Sequence, residues 1–158
     1  MQKTGNPGKT GELKVVSFQI DDREYAVDIS RMIEIIYYRP ATPLPQAPEF
    51  VVGVVDLRGT VIPALDLKKR LRLTSKAAGR PNHILIVRFK DKMIGIVVDQ
   101  VTQVVQIDEK EIQSPQNFLE GTGSKYLRGV CKINDQLVFI LSLDNLLTDD
   151  EQAQLKEI

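Results

Sequence analysis

Short apolar runs separated by polar turns recur along most of the chain. Residues 15–20 are β-branched and aromatic, 21–24 are polar, and 25–27 resume the apolar run, an order that is typical of a β-hairpin. Residues 101–107 alternate between apolar and polar, as a half-buried strand does. The pattern predicts a mainly β protein. Its strands are expected over 15–20, 25–27, 35–38, 50–57, 60–67, 84–89, 93–98, 101–107, 126–133 and 136–143.

The segments between these runs predict loops and short helices. Four prolines make 39–48 an extended loop, because proline fixes φ and lacks a backbone donor. Pro63 indicates an edge or a bulge in its strand. Residues 67–73 are basic and compatible with a short helix, and 74–82 form a polar linker. The remaining expectations are a flexible tail over 1–13, a polar loop with a helical turn over 108–125 and a C-terminal helix over 145–158.

The order of elements occurs twice. Gly53 superposes on Gly129 at an offset of 76 residues, and Ala26 superposes on Gly95 at an offset of 69 (129 − 53 and 95 − 26). Apolar positions and the hairpin turns match at the same offsets. We therefore predict two similar β units with approximate halves 14–73 and 82–147. Strands this short usually close into small barrels, because closure removes exposed edges.

Composition narrows the class of partner. Lys plus Arg and Asp plus Glu both number 21, so the formal net charge is zero, whereas nucleic-acid binders are usually basic. The basic segment 68–72 nevertheless keeps a small-barrel nucleic-acid-binding module open as an alternative. The N-terminal residues do not resemble a signal peptide, and no apolar run approaches the roughly 20 residues of a membrane span. We expect a cytoplasmic protein without direct membrane insertion.

Residues suited to catalysis are scarce. His83 is the only histidine and has no obvious partner in sequence, and Cys131, the only cysteine, lies within an apolar strand. No spacing typical of a metal site or a phosphate loop is present. A folded chain without a reactive constellation is more often a binding module than an enzyme. We therefore expect no enzymatic activity, no catalytic residues, no metal and no cofactor.

Four segments resemble the signatures of the CheW family. These are 25–29 with 32–35, the central block 43–67, 95–99 with Val101, and 126–130. The central block contains Leu57-Arg58-Gly59 and a downstream proline, as the family does, although Asp56 stands where asparagine is commoner. The similarity extends over about residues 13–150 in one order.

The resemblance implies an all-β fold with short helices and a C-terminal helix. Its core would be two five-stranded SH3-like β-barrels packed side by side, built from interleaved chain within one CheW-like domain over 14–150. The implied function is a non-catalytic scaffold that couples chemoreceptors to a CheA-type histidine kinase. The implied partners are the regulatory domain of that kinase, the cytoplasmic tip of chemoreceptors and, as a further option, other CheW-like domains. Recruitment to receptor arrays at the inner face of the membrane would follow, whether the pathway serves swimming, gliding, pili or a process other than motility.

The resemblance also places eight residues at protein-binding surfaces, with the partner of each unresolved. Met32, Ile36 and Val104 also have the spacing of core residues, and the two glycines also suit tight backbone geometry, so both interpretations stay open. We further expect Arg58, carried on a hairpin turn, to pair with the carboxylate of Glu34. The eight residues are Met32, Glu34, Ile36, Gly53, Arg58, Gly59, Val104 and Phe118.

Overall fold

Ten strands dominate the computed structural model, which describes residues 11–72, 80–115 and 121–155. Most lie within a residue or two of the predicted bounds. Short 3-10 helices at Glu109–Glu111 and Gly121–Tyr126 agree with the helical turn predicted within the polar loop. The strands are β1 (Glu12–Ile20), β2 (Arg23–Asp28), β3 (Met32–Tyr37), β4 (Val51–Leu57), β5 (Thr60–Asp66), β6 (His83–Phe89), β7 (Lys92–Val98), β8 (Gln100–Asp108), β9 (Leu127–Ile133) and β10 (Gln136–Leu141).

The described strands form two five-stranded sheets, in the orders β8-β1-β2-β10-β9 and β3-β6-β7-β5-β4. The first sheet takes its strands from both ends of the chain, and the second takes the five consecutive strands between them. Each sequence repeat therefore contributes to both sheets: the first gives β3, β4 and β5 to the second sheet, and the second gives β8, β9 and β10 to the first sheet. Both sheets contain one parallel contact, β10 with β2 and β5 with β7.

Strand register repeats with the offset seen in the sequence. Val16 pairs with Val104 on the edge strand β8, and Leu85 pairs with Ile35 on the edge strand β3. Leu85 lies 69 positions after Val16, and Val104 lies 69 positions after Ile35 (85 − 16 and 104 − 35). The two edge strands are therefore structural equivalents.

The described residues form three apolar core clusters, because each sheet buries both of its faces. Ile84 and Ile86 of β6 pack inside the second sheet's barrel, while Leu85 and Val87 point to the cluster between the two sheets. This explains the continuous apolar run of β6, since a strand covered on both faces does not alternate. Val15 of β1 belongs to the third cluster, inside the first sheet's barrel.

A close backbone crossing accounts for Gly53. Thr42, in the proline-rich loop, forms an isolated bridge with Val54, and a Cβ on Gly53 would lie 2.2 Å from the Thr42 carbonyl oxygen. Gly129 has the equivalent role, since a Cβ there would lie 2.7 Å from the carbonyl oxygen of Gln113. Each crossing covers part of an edge strand, β4 or β9, with another segment of the chain.

Helices are short and lie at the ends of strands. Helix α1 (Leu67–Arg70) follows β5, and Asp66 caps it by accepting from the Lys68 backbone at 2.9 Å. Helix α2 (Asp149–Gln154) covers part of the predicted C-terminal helix and begins with a capping box between Thr148 and Glu151. Within the described residues, no helix is both long and apolar enough to cross a membrane.

Pro63 lies within β5, which is an internal strand of its sheet. The parallel contact with β7 begins only at Ala64, so Pro63 pairs with β4 on one side. The prediction of an edge or a bulge at Pro63 is therefore wrong, since β5 is internal and Pro63 pairs in register with Val54. The missing backbone donor is tolerated because no residue of β7 pairs with Pro63.

Candidate partner-binding surfaces

Strand β3 is an edge strand with apolar side chains on both faces. Met32 packs against the cluster between the sheets, and Ile36 packs against the cluster inside the second barrel. Three other apolar or aromatic residues of the strand are exposed, namely Ile33, Ile35 and Tyr37. Exposed apolar residues in a row on one strand are typical of an interaction surface.

The predicted pair between Arg58 and Glu34 is confirmed. Arg58 Nη1 donates to Glu34 Oε2 at 3.2 Å, and Arg58 Nη2 donates to Glu34 Oε1 in a second, shorter hydrogen bond. The pair joins the edge strand β3 to the turn between β4 and β5. The Arg58 side chain is 71% exposed. The hydrogen bonds from Arg58 hold the pKa of the Glu34 carboxyl below its ordinary value.

Local sequence explains how Arg58 is presented. Arg58 has a φ of 49° and Gly59 a φ of 90°, both in the left-handed region that reverses a tight hairpin. Asp56 holds the turn by accepting from the Gly59 backbone at 2.8 Å. Arg39 donates to the Asp56 carbonyl at 2.7 Å, so the proline-rich loop also braces this turn. Asp56, which stands where the family more often has asparagine, therefore still provides the side-chain oxygen that caps the turn.

The other predicted site residues lie apart. Val104 lies on β8 of the opposite sheet and is 57% exposed, so the core interpretation of this residue is wrong. Gly53 is buried at the Thr42 crossing, where its requirement is backbone space, and Gly59 is exposed. Phe118 lies outside the described residues.

A groove that sequence analysis did not identify lies between β5, the β6–β7 turn and α2. It encloses about 330 Å³. Val61, which is exposed, forms one wall, and Leu147 and Leu155 form another. The residues that line the groove come from distant parts of the chain, so no local pattern predicts it. The sequence indicates only that Val61 points away from the core, because it precedes the buried Ile62 on β5.

The basic segment does not form a free cationic patch. Lys68 pairs with Asp21 at 2.9 Å, and Arg70 pairs with Glu151 through two hydrogen bonds of 2.8 and 2.6 Å. Arg70 is also buried. Two of the charges that would neutralise phosphates are therefore already neutralised within the protein, which is evidence against the nucleic-acid alternative.

Groups that could perform covalent or metal chemistry remain scattered. Within residues 11–72, 80–115 and 121–155, no three His, Cys, Asp or Glu side chains are grouped so that they could hold a metal ion. Burial, and then the charge of Glu111, raises the pKa of the Cys131 thiol, which disfavours the reactive thiolate. His83 begins β6 and stacks on Tyr37 with ring centroids 5.5 Å apart.

Known proteins resemble this chain in sequence over nearly its whole length. A family model described as the CheW-like domain matches residues 14–151. The chain belongs to the CheW-like family. The chemotaxis protein CheW of Rhizobium meliloti (strain 1021) is 29% identical over 142 residues, which cover 90% of this chain and 92% of that protein. The CheW of Thermotoga maritima is 32% identical over 146 residues, covering 92% of this chain and 93% of that protein.

A solved structure shares the CheW-like architecture. The scaffolding protein TtCheW from Thermoanaerobacter tengcongensis superposes with a TM-score of 0.78 and 30% identity, covering 88% of this chain and 94% of that one. The predicted fold of two SH3-like barrels is thereby confirmed. Family membership supports a chemotaxis coupling scaffold and not the nucleic-acid-binding alternative.

Proposed function

We propose that this protein is a non-catalytic, cytoplasmic scaffold that joins a CheA-type histidine kinase to the cytoplasmic tip of chemoreceptors. The observation that carries the proposal is the CheW-like match over residues 14–151, which spans nearly all of the described fold. The partners are those that the family resemblance implies, and recruitment to receptor arrays at the membrane follows from binding them. The scaffold contributes binding surfaces, and the chemistry belongs to the kinase.

Apolar side chains near the inter-sheet cluster suit a helical partner. Ile35 lies opposite Leu85 in the strand register, so its side chain shares the sheet face that packs between the barrels. Val104 shares that face with Val16 in the other sheet. Both exposed residues therefore extend the inter-sheet core to the surface. The apolar face of a helix could bury them in the manner of helix-in-groove recognition.

The Arg58–Glu34 pair is suited to orienting a partner. Its members are well solvated, and exposed ion pairs contribute little to stability. The two hydrogen bonds fix the guanidinium plane beside the edge strand, and the remaining donors of Arg58 face solvent. We propose that these donors bind a carboxylate or a backbone carbonyl of the kinase or receptor. Met32, Ile36, Gly53, Gly59, Val104 and Phe118 are proposed as the accompanying surface or its support.

Arg58→Ala tests the function without unfolding the protein. Its melting temperature should stay close to wild type, because the side chain is exposed and buries little apolar area. Kinase autophosphorylation should be measured in a reconstituted mixture of receptor, kinase and scaffold. Wild type should raise the rate, and Arg58→Ala should raise it much less. Arg88→Ala, at an exposed position on the internal strand β6 of the same barrel, is the matched control and should behave as wild type.

The outcomes separate the two parts of the proposal. Calorimetry with the regulatory domain of the kinase should show heat of binding for the wild type. No binding and no change in kinase rate would contradict the scaffold function itself. Normal coupling by a folded Arg58→Ala variant would contradict only the role of Arg58, and an unfolded variant would show that the residue is structural.

A further inference from the structure

The outer edge of β8 is open and carries no charge over its first eight residues. The strand runs Gln100–Asp108 and pairs with β1 on one side only. Residues 102–104 and Gln106 are exposed. Among the described residues, no backbone group outside β1 bonds to 101–107. Unpaired donors and acceptors along a long neutral edge form a template for another strand, and proteins usually protect such edges with charge, proline or a covering segment.

The three other sheet edges have such protection. A bridge from Thr42 covers part of β4, and a bridge from Gln113 covers part of β9. The β3 edge carries Glu34 and, bound to it, the Arg58 guanidinium. β8 is the structural equivalent of β3, and each strand has a bulge at the same place, at Thr102 in β8 and at Ile33 in β3. The difference between the two edges is therefore the charged pair, which only the β3 edge has.

The difference lies in two residues. At the offset of 69, Gln103 is the equivalent of Glu34 (103 − 34). At the offset of 76, Asn134 is the equivalent of Arg58 (134 − 58), and its φ of 52° matches the 49° of Arg58. The second barrel thus has an ion pair across its edge where the first barrel has two neutral amides. Among described residues, no hydrogen bond joins the Gln103 and Asn134 side chains.

We propose that β8 pairs edge to edge with the β8 of a second copy of this chain, forming a ten-stranded sheet across a two-fold axis. A second copy fits because the strand is compatible with itself. In an antiparallel register centred on Val104, the two Val104 side chains meet and Gln103 lies opposite Val105. The bulge at Thr102 ends the regular ladder on that side of each strand. No charge opposes a like charge in that register. The formal net charge of zero also removes the general repulsion between copies.

The contact is small, so the association is weak. One edge strand from each copy buries less area than a standard stable interface. The main-chain ladder supplies affinity, and Val104, which is 57% exposed, supplies the apolar contact. Dimerisation of the pure protein requires neither kinase nor receptor, so its failure is distinguishable from failure of the scaffold function.

Sedimentation equilibrium of the full chain over a wide concentration range tests the dimer. The wild type should show a reversible rise in average mass from monomer toward dimer. The double variant Gln103→Glu with Asn134→Arg transplants the ion pair of the second barrel onto the first. It should weaken dimerisation by at least about tenfold, because charge then lies along the edge. Leu137→Lys, which places a charge on exposed β10 away from the edge, should dimerise as wild type.

Amide hydrogen exchange provides a second measurement. Outward-facing amides of 101–107 should become more protected as wild-type concentration rises, while exchange elsewhere stays constant. A wild type that remains monomeric throughout the range would overturn the proposal. Equal dimerisation of the folded double variant, or loss of dimer in Leu137→Lys, would overturn the assignment to β8.

Discussion

Arg70 joins parts of the molecule that are distant in sequence. It is the last residue of α1, and its guanidinium lies 4.1 Å from the ring centroid of Phe50 and 4.6 Å from that of Tyr126. The same guanidinium makes a two-point ion pair with Glu151 on α2. Phe50 precedes β4 and Tyr126 precedes β9, so one side chain connects both sheets and the C-terminal helix. We predict that Arg70→Met destabilises the fold substantially.

The contacts of Arg70 determine how much free energy of unfolding the substitution should remove. Cation–π contacts contribute about 0.5–2 kcal/mol each, so two of them contribute about 1–4 kcal/mol. Breaking a fully buried ion pair costs about 3–5 kcal/mol, mostly from the charge left behind. The Arg70 side chain is 7% exposed but Glu151 is 21% exposed, so the freed carboxylate regains water. That lowers the ionic contribution to about 1–2 kcal/mol. The expected loss in the free energy of unfolding is therefore about 2–6 kcal/mol.

Urea unfolding followed by circular dichroism measures this loss. Lys69→Ala is the control, since Lys69 is the exposed neighbour and its removal should change stability by less than about 0.5 kcal/mol. A double-mutant cycle of Arg70→Met with Glu151→Met isolates the pair, because replacing both charges leaves neither buried alone. If Arg70→Met unfolds within about 0.5 kcal/mol of wild type, the reasoning from burial is refuted.

The pH dependence gives an independent check. Burial raises the pKa of Glu151, but the hydrogen bonds from Arg70 and Thr148 outweigh it and leave the pKa below its ordinary value. A carboxyl with a depressed folded pKa stabilises the protein above its unfolded pKa, and that stabilisation is lost as pH falls through the folded pKa. The difference between wild type and Arg70→Met should therefore shrink in acid. A difference that grows on acidification would contradict the assigned pair.

Three further predictions follow from local geometry. Gly53→Ala should lower the free energy of unfolding in urea by more than about 2 kcal/mol, because the new Cβ would overlap the Thr42 carbonyl and the φ of Gly53 is 149°. Gly59→Ala is the control and should cost only about 1–2 kcal/mol, because no atom lies within 4 Å of its new Cβ. Cys131 should react with a thiol reagent far more slowly in the native state than in urea, since it is buried and its thiol pKa is raised; equal rates would show that it is accessible. Thr148→Ala should lower stability by about 1 kcal/mol through loss of the capping box, whereas an unchanged unfolding midpoint would mean that α2 forms without its cap.

Local pattern was sufficient for the strands and for part of the candidate site. Apolar runs and polar turns located the hairpins to within a residue or two, because strand formation and tight turns depend on neighbouring residues. The repeat offsets were recovered in the strand register. The Arg58–Glu34 contact was also predictable, since the turn presents Arg58 and the family resemblance placed Glu34 nearby.

Tertiary structure alone decided which residues are buried. Their spacing along the chain made both Val104 and Ile36 candidate core residues. In the structure Val104 is exposed and Ile36 packs on a core cluster, because exposure on an edge strand depends on what lies beyond that edge. Arg70 belonged to an apparent basic patch, and only the approach of Phe50, Tyr126 and Glu151 makes it a buried connection. The exchange of β3, β4 and β5 for β8, β9 and β10 between the sheets is likewise not encoded in any local run. A sequence specifies which side of a strand is apolar, and the packing of distant segments determines what covers that side.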